Sequence, residues 1–380
     1  MDKFNFIATT TFGLEAVAKK EAQNLGFENI SVSDGIVNFS GSIKDIAKAN
    51  IWFRTADRIL LVLNKFNATS FEELFQGVTA INWADFLPKD ANFIVTGKSV
   101  KSQLSSVPAC QSVAEKAIIK KLQLTYKGVE RFSKTGAKYT ILISILKDNV
   151  TVTLDTSGSS LHKRGYRENQ LKAPLKETLA SALIYLSYWK KDKFLLDATC
   201  GSGTIPIETA LMAKNIAPGL MRKFASENWE FIDKKIWKDA RANAYSQIDV
   251  DFRPEILGSD IDEKAIEIAK HNARLAGVDD CVRFEVKPLN KQSIKNIDYG
   301  ICICNPPYAE RIGVLEEVEQ LYKDMGKLFS SNNTWSSYIL TSNENFEKLY
   351  GKKADKKRKL FNGNVKVDYY QFFGKKPPKK

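Results

Sequence analysis

Three short runs of apolar or small residues in the C-terminal half of this chain each stop at a single polar residue. Phe194-Leu195-Leu196 stops at Asp197, Ile256-Leu257-Gly258-Ser259 at Asp260, and Ile301-Cys302-Ile303-Cys304 at Asn305. Runs without polar alternation belong to strands buried on both faces. Helical patterns surround them at Pro174–Trp189, Thr204–Ala213, Ile232–Gln247, Asp262–Ala276 and Leu315–Ser330. Further strands are expected at Val282–Val286, Ser337–Thr341 and a closing pair near Lys359–Leu360 and Val365–Phe373, with the third run beginning at Tyr299. This alternation makes the half an α/β domain with a mostly parallel sheet covered on both faces. Ligands of such sheets bind outside the C-terminal strand ends, where Asp197, Asp260 and Asn305 stand.

The N-terminal half reads differently. Phe4–Thr9 is an expected strand, "GLEAVAKKEAQNLG" a helix, Ile30–Phe39 a hairpin turned at Ser33-Asp34-Gly35, Ser42–Phe53 a helix and Asp57–Phe66 a strand. The order β-α-β-β-α-β fits a ferredoxin-like domain, residues 1–60. A second α/β segment, residues 61–155, has helices at Phe71–Gly77 and Pro108–Leu124, a strand at Asn92–Gly97 and a hairpin of Tyr139–Leu146 with Asn149–Leu154. "DTSGSSLHKRGYRENQ", Asp155–Gln170, is rich in Ser, Gly and charge, which marks the boundary with residues 156–380.

At 380 residues the chain is long enough for two or three domains, and 43% hydrophobic content supplies their cores. No apolar run approaches the ~20 residues that a membrane span needs. The start lacks a signal peptide's basic and apolar regions. Five cysteines make no disulfide framework, so a cytoplasmic protein is expected. The two histidines, His162 and His271, stand apart from any cysteine pair, and Cys302-x-Cys304 is one residue short of a zinc pair, so no metal is expected. Net charge is +13, and residues 351–380 alone carry eleven Lys/Arg against two Asp. That imbalance suits nucleic acid or an anionic surface, and equally a solvated tail.

The stretch "FLLDATCGSGTIPIETA" joins a strand to a helix through Gly201-Ser202-Gly203. Glycines there allow a tight turn and close backbone approach, and the helix start at Thr204 offers free N–H groups to an anion. A dinucleotide fingerprint does not fit. Pro206 holds the third glycine position, and Asp260 lies 63 residues after Asp197. No Gly-Lys-Ser/Thr of a P-loop follows. An acid ahead of the turn suits a ligand that carries a cation beside a carboxylate, and S-adenosylmethionine is one. Asp197 would bind its ammonium or orient the loop; Ser202 and Thr204 complete the turn. Asp260 would accept from both ribose hydroxyls, with Ile261 beside it, while Asp262 caps the next helix.

Asn305-Pro306-Pro307-Tyr308 fits an exocyclic amine on a planar base. The lone pair of such an amine is delocalised into the ring. Two acceptors on its N–H groups, the Asn305 side-chain carbonyl and the Pro306 backbone carbonyl, would localise it. Prolines fix φ and add no N–H donor. Tyr308 would stack on the base, which must be unpaired or flipped to arrive there. A loop merely stiffened by prolines is the plainer reading of the tetrapeptide alone. "LHKRGYR" places His162, Lys163, Arg164 and Arg167 around Tyr166, a pattern for phosphate contact or for closing over a cofactor.

Taken together, these stretches resemble the THUMP-domain class I RNA methyltransferases that modify guanine at N2, closest to the bacterial 23S rRNA (RlmL-like) group. The resemblance rests on "ATTTFGLEAVAKKEAQNLG", "LHKRGYR", "LKAPLKETLASALI", "DATCGSGTIPIETA", "GSDIDEKAIEIAKHNARLAG", "NPPYAERIG" and "KLFNGN", and spans nearly the whole chain. It implies a ferredoxin-like domain and a THUMP module ahead of a Rossmann-like methyltransferase with a mostly parallel seven-stranded sheet. It implies S-adenosylmethionine held by Asp197, Thr199, Gly201, Gly203 and Asp260, and catalysis by Asn305, Pro306, Pro307 and Tyr308. RNA is the implied partner, rRNA ahead of tRNA, captured by the THUMP segment with Lys98, Lys101, Lys120 and Lys121. DNA adenine-N6 methylation uses the same loop chemistry; no DNA-reading motif is evident in the N-terminal half. Two features depart from the family. Pro288 stands where an acid usually meets the cofactor's adenine, leaving Asn290 or backbone for that contact, and the second methyltransferase domain of longer members does not follow the tail. Oligomeric state is not readable.

Overall fold

The computed structural model describes residues 3–129, 132–167, 175–308 and 315–378. Pro174, the expected start of a helix, and residues 309–313 of "NPPYAERIG" lie outside the described residues. The chain divides into two compact units, each built on a seven-stranded sheet.

The first unit comprises Met1–Thr10, Ala18–Leu161 and Arg222–Asn243. It opens with β1 (Phe4–Thr9), α1 (Glu15–Asn24), β2 (Glu28–Ser33), β3 (Ile36–Gly41), α2 (Asp45–Trp52) and β4 (Arg58–Asn67), the expected ferredoxin-like order. Phe6 and Phe39 are register partners on β1 and β3 and stack at 5.3 Å. The Phe27 ring stacks on Phe39 from the helix side. Then come α3 (Phe71–Thr79), β5 (Asn92–Val100), α4 (Val107–Thr125), β6 (Lys138–Leu146) and β7 (Asn149–Asp155). β7 pairs with β4 from Leu60↔Asp155 to Asn67↔Asn149, so one sheet runs β2-β3-β1-β4-β7-β6-β5. The boundary expected between residues 60 and 61 therefore falls inside β4, a strand that serves both halves.

The second unit comprises Thr11–Val17, His162–Met221 and Ala244–Lys380. Its elements are α5 (Glu177–Leu186), β8 (Leu195–Asp197), α6 (Thr204–Ala213), the end of α7 (Lys234–Ser246), β9 (Ile256–Asp260), α8 (Glu263–Leu275), β10 (Arg283–Val286), β11 (Ile301–Cys304), α9 (Leu315–Ser330), β12 (Ser336–Thr341), α10 (Phe346–Tyr350), β13 (Lys356–Asn362) and β14 (Val365–Phe372). The sheet order is β10-β9-β8-β11-β12-β14-β13. Strands β8 to β12 are parallel, and β14 and β13 close the edge antiparallel. Chain direction reverses its progress across the sheet between β8 and β11, which opens a crevice there. Ile301 and Ile303 of β11 enter the core under α5, α6 and α8, while Cys302 and Cys304 enter the core under α9 and α10.

Several elements differ from expectation. The third strand starts at Ile301 rather than Tyr299: Tyr299 has φ +58°, and Gly300 lies against the Trp335 ring, where a Cβ would sit 2.4 Å from it. α5 stops at Leu186, because Ser187 turns extended and its hydroxyl donates to the Ile184 carbonyl. α10, five residues long, is too short to show a period. Two segments also change sides. Residues 222–243, expected in the C-terminal domain, pack with the first unit, where Trp229 stacks on Tyr139 at 5.0 Å and its indole donates to the Lys138 carbonyl. Residues 11–17 pack with the second, with Leu14 inside its core.

Candidate active site

The loop after β8 is shaped by its glycines and held by its neighbour strand. Gly203 caps α6 from the left-handed region at φ +80°, and a Cβ there would lie 3.0 Å from both Ala269 and Phe284. Cys200 N–H donates to the Ser259 carbonyl at 2.9 Å. Gly201 N–H donates to Asp260 Oδ2 at 2.8 Å, and Asp262 N–H to Oδ1 at 3.0 Å. One carboxylate at the end of β9 thus ties together the loops after β8 and β9. Asp262 caps α8 by accepting from Lys264 N–H at 2.9 Å, as the sequence suggests.

Asp197 is 2% exposed. Burial pushes its carboxyl well above the usual range, and Oδ1 accepts from Thr199 N–H at 3.2 Å. Of its two expected roles, orienting the loop is the one this position fits. It does not line the cleft that the loop borders.

That cleft measures ≈ 950 Å³. Thr199, Gly201, Asp260, Ile261, Pro288 and Asn290 line it, and so do Asn305 and Pro307. Ser202, Gly203 and Thr204 do not: Ser202 and Thr204 are each 5% exposed. Ile261 is 73% exposed, an apolar side chain with open space over it. A carboxylate with two acceptor oxygens, a glycine without a Cβ and an uncovered apolar side chain fit a nucleoside with an amino-acid tail.

Sequence reading missed the wall supplied by α9. Glu316, Gln320 and Asp324 all line the cleft. Gln320 Nε2 donates to Asp324 Oδ1 at 2.9 Å, which occupies the amide nitrogen and fixes the plane of the group. The signal was present: residues 316, 320 and 324 recur every four along one helical face.

β11 delivers the Asn305-Pro306-Pro307-Tyr308 loop to the same cleft, which Asn305 and Pro307 line. Asn305 is half-buried, Pro306 buried and Pro307 exposed. The Tyr308 hydroxyl donates to Asn305 Oδ1 at 2.6 Å. Its ring packs against the core under α5 and α6, and burial raises its phenol well above the ordinary range while an Asn362 hydrogen bond acts the other way. Beyond the stacking face expected of Tyr308, the fold gives its hydroxyl a hold on Asn305. Tyr322 Oη approaches the Pro307 carbonyl at 3.4 Å and exchanges a 2.8 Å hydrogen bond with Thr341.

"LHKRGYR" departs from the expected RNA contact. Lys163 is exposed and His162 half-buried, but Arg164 and Tyr166 are buried. Tyr166 Oη donates to Glu208 Oε1 at 3.0 Å, Ser181 Oγ to Glu208 Oε2 at 2.6 Å, and Arg164 Nε lies 3.5 Å from Oε1. Arg167 donates to the Thr204 hydroxyl at the start of α6 and pairs with Glu177 at 3.5 Å. An internal charge must be paired, and Arg164 and Tyr166 are buried against Glu208 rather than exposed on a surface. Arg167 instead touches the start of α6 through the Thr204 hydroxyl.

In the first unit Lys98, Lys101 and Lys120 are exposed and Lys121 half-buried. Lys98 and Lys101 lie at the end of edge strand β5, next to the start of α4. Lys120 and Lys121 lie near the end of α4, roughly 20 Å further along its axis. They form two sites rather than one patch. Among the described residues no group of three or more His, Cys, Asp or Glu is placed to hold a metal ion, and none of the helices is long and apolar enough to cross a membrane. All five cysteines are buried free thiols.

Comparison with known proteins agrees with this geometry. Residues 164–371 match the RMKL-like methyltransferase domain, residues 5–60 the RlmL ferredoxin-like domain and residues 68–155 the THUMP domain. YpsC of Bacillus subtilis, an inferred RNA methyltransferase, is 49% identical, covering 100% of this chain and 98% of its own. The ribosomal RNA large subunit methyltransferase K/L of Cellvibrio japonicus is 32% identical over 97% of this chain, which spans 51% of that protein's length. The solved structure of SMU.472, an inferred methyltransferase complexed with SAH, superposes with a TM-score of 0.93 at 45% identity and covers 100% of both chains. The chain belongs to the RMKL-like methyltransferase family, with an RlmL-type ferredoxin-like domain and a THUMP domain ahead of the catalytic fold.

Proposed function

We propose that this protein methylates the exocyclic N2 amine of a guanine in RNA, with 23S rRNA ahead of tRNA as substrate. S-adenosylmethionine is the cofactor, and when bound it supplies a methyl group already activated on a sulfonium. What the chain must add is binding and alignment. The Thr199 and Gly201 end of the glycine loop and the Asp260 carboxylate would hold the cofactor, with Ile261, Asn290 and the Gln320 amide as the other groups available to it. The observation that carries the reading is that Asn305, directly after β11, lines the same cleft as Gly201 and Asp260. Asn305 Oδ1 accepts from an N–H of the incoming amine and, with the Pro306 carbonyl, concentrates its lone pair. Tyr308 fixes the direction of the Asn305 amide.

RNA as the polymer is supported by the THUMP match and by the names of the relatives, and the N2 position by the motif resemblance. Residues 1–60 and 61–155 then capture the RNA, and residues 156–380 perform the transfer, in the cytoplasm. Purified protein incubated with S-adenosylmethionine and rRNA from a deletion strain should yield N2-methylguanosine by nucleoside mass spectrometry. If N6-methyladenine appeared instead, or only tRNA were modified, the substrate assignment would be wrong.

A further inference from the structure

The hairpin of β13 and β14 extends past the sheet edge at which β11 ends. β14 pairs with β12 only as far as Thr341↔Asp368, at the edge of the sheet where β11 ends in Asn305. β13 and β14 continue together for three more pairs, Leu360↔Val367, Phe361↔Lys366 and Asn362↔Val365. Those pairs carry the hairpin about 10 Å past the strand ends. Its inner corner reaches the reaction loop, because the Asn362 side chain meets the Tyr308 hydroxyl, which in turn holds Asn305.

A segment from the far end of the sequence is docked on this hairpin. Gly13 has φ +91°, and a Cβ there would lie 3.0 Å from the Lys359 carbonyl, so the backbone runs against β13 at glycine distance. Leu14 anchors the segment in the core shared with Leu360. Phe12 is thereby presented outward. It is 56% exposed, and its ring stands 6.0 Å from Phe361 at an interplanar angle of 70°. Lys359, Lys366 and Asn364 are exposed around it.

A lone exposed phenylalanine means little. Here an exposed phenylalanine and its half-buried aromatic neighbour stand with exposed lysines and an exposed asparagine on an arm whose Asn362 meets the Tyr308 hydroxyl. Aromatic faces for bases, with lysines for phosphates, are how single-stranded nucleic acid is held. A protein surface would offer less use for the lysines, and a membrane none for the amides. We propose that Phe12 and Phe361 form a stacking platform for an unpaired nucleotide that flanks the target base, with Lys359 and Lys366 on its phosphates. The proposal rests on RNA being the substrate and names how that RNA is gripped at the catalytic mouth. It also assigns a role to part of the basic C-terminal segment.

The test uses the full-length protein and a fluorescein-labelled 12-nucleotide single-stranded RNA, read by anisotropy, beside methylation of rRNA. Phe12→Ala should weaken RNA binding about tenfold, the scale of one lost base stack, and raise the KM for rRNA while leaving the Kd for SAH within twofold. Phe12→Trp should bind as the wild type does. Lys366→Ala should reduce the salt dependence of binding, whereas Phe12→Ala should not. Phe12 is largely exposed, so these variants should fold. Unchanged RNA affinity in Phe12→Ala, or a wild type that does not bind the oligonucleotide, overturns the platform. Binding through Phe12 without formation of N2-methylguanosine would instead refute the proposed reaction and leave the platform standing.

Discussion

The hydroxyl of Tyr308 donates to Oδ1 of Asn305 at 2.6 Å, three residues back along the same loop. An asparagine amide can present either its oxygen or its nitrogen to a substrate. A donor on Oδ1 fixes which way the group faces, and the oxygen keeps a second lone pair for the incoming amine. The loop thus carries its own orienting residue.

Asn305→Ala should lower kcat by about 10²–10³-fold, the scale for losing one preorganised polar contact to the reacting group. Calorimetry with SAH and anisotropy with RNA should return near-wild-type affinities, because the contact forms only with the reacting amine. Turnover close to normal would mean that the amide is not an acceptor for it.

Tyr308→Phe should reduce kcat by roughly 3- to 10-fold, the worth of one net hydrogen bond, with KM values little changed. The pH profile gives a separate check. Burial raises the Tyr308 phenol above the ordinary value of 10, so the hydroxyl stays protonated and donating throughout neutral and moderately alkaline solution. The wild-type advantage over Tyr308→Phe should therefore persist from pH 7 to about pH 10. A loss of that advantage centred below pH 10 would show that the phenol ionises normally.

Glu208→Gln should destabilise the protein by about 3–5 kcal/mol, because Arg164 would remain buried without its counter-charge. The pair is 3% and 0% exposed and 3.5 Å apart. Urea unfolding followed by tryptophan fluorescence measures the change. Unaltered stability together with weakened RNA binding would return Arg164 to the surface role that its sequence context suggests.

Gln320→Ala should weaken SAH binding about 3- to 10-fold with no change in unfolding midpoint, since its amide faces the cleft and its nitrogen is engaged by Asp324. Asp324→Ala, which frees that nitrogen to turn, should have a smaller effect in the same direction. Equal SAH affinity in all three proteins would mean that α9 does not touch the cofactor.

Much of the fold was legible because it is written in local periods. β1, β9 and α6 occupy the expected residues, and α9 starts and ends where its pattern does. Apolar strands without alternation, glycines at a strand-to-helix turn and polar strand ends are all features of short spans. They suffice to set the order of elements and to bring Asp260, the glycine loop and Asn305 to one edge of one sheet. Where reading failed, the deciding contacts join residues far apart. Residues 222–243 join the first unit because Trp229 stacks on Tyr139, 90 residues earlier.

Local patterning was enough to bring the loops after β8, β9 and β11 to one edge, since a buried parallel strand must end at the sheet's C-terminal edge whatever surrounds it. Only the tertiary structure decided what each polar side chain does there. Arg164 and Tyr166 look like surface residues in a charged linker until Glu208, 42 residues beyond Tyr166, is placed against them. Phe12 belongs to the catalytic unit because Gly13 admits the Lys359 carbonyl. Asp197 braces the cofactor loop because the core closes over it. Burial and pairing depend on packing between distant segments, and no local pattern encodes which of two equally polar residues the core will enclose.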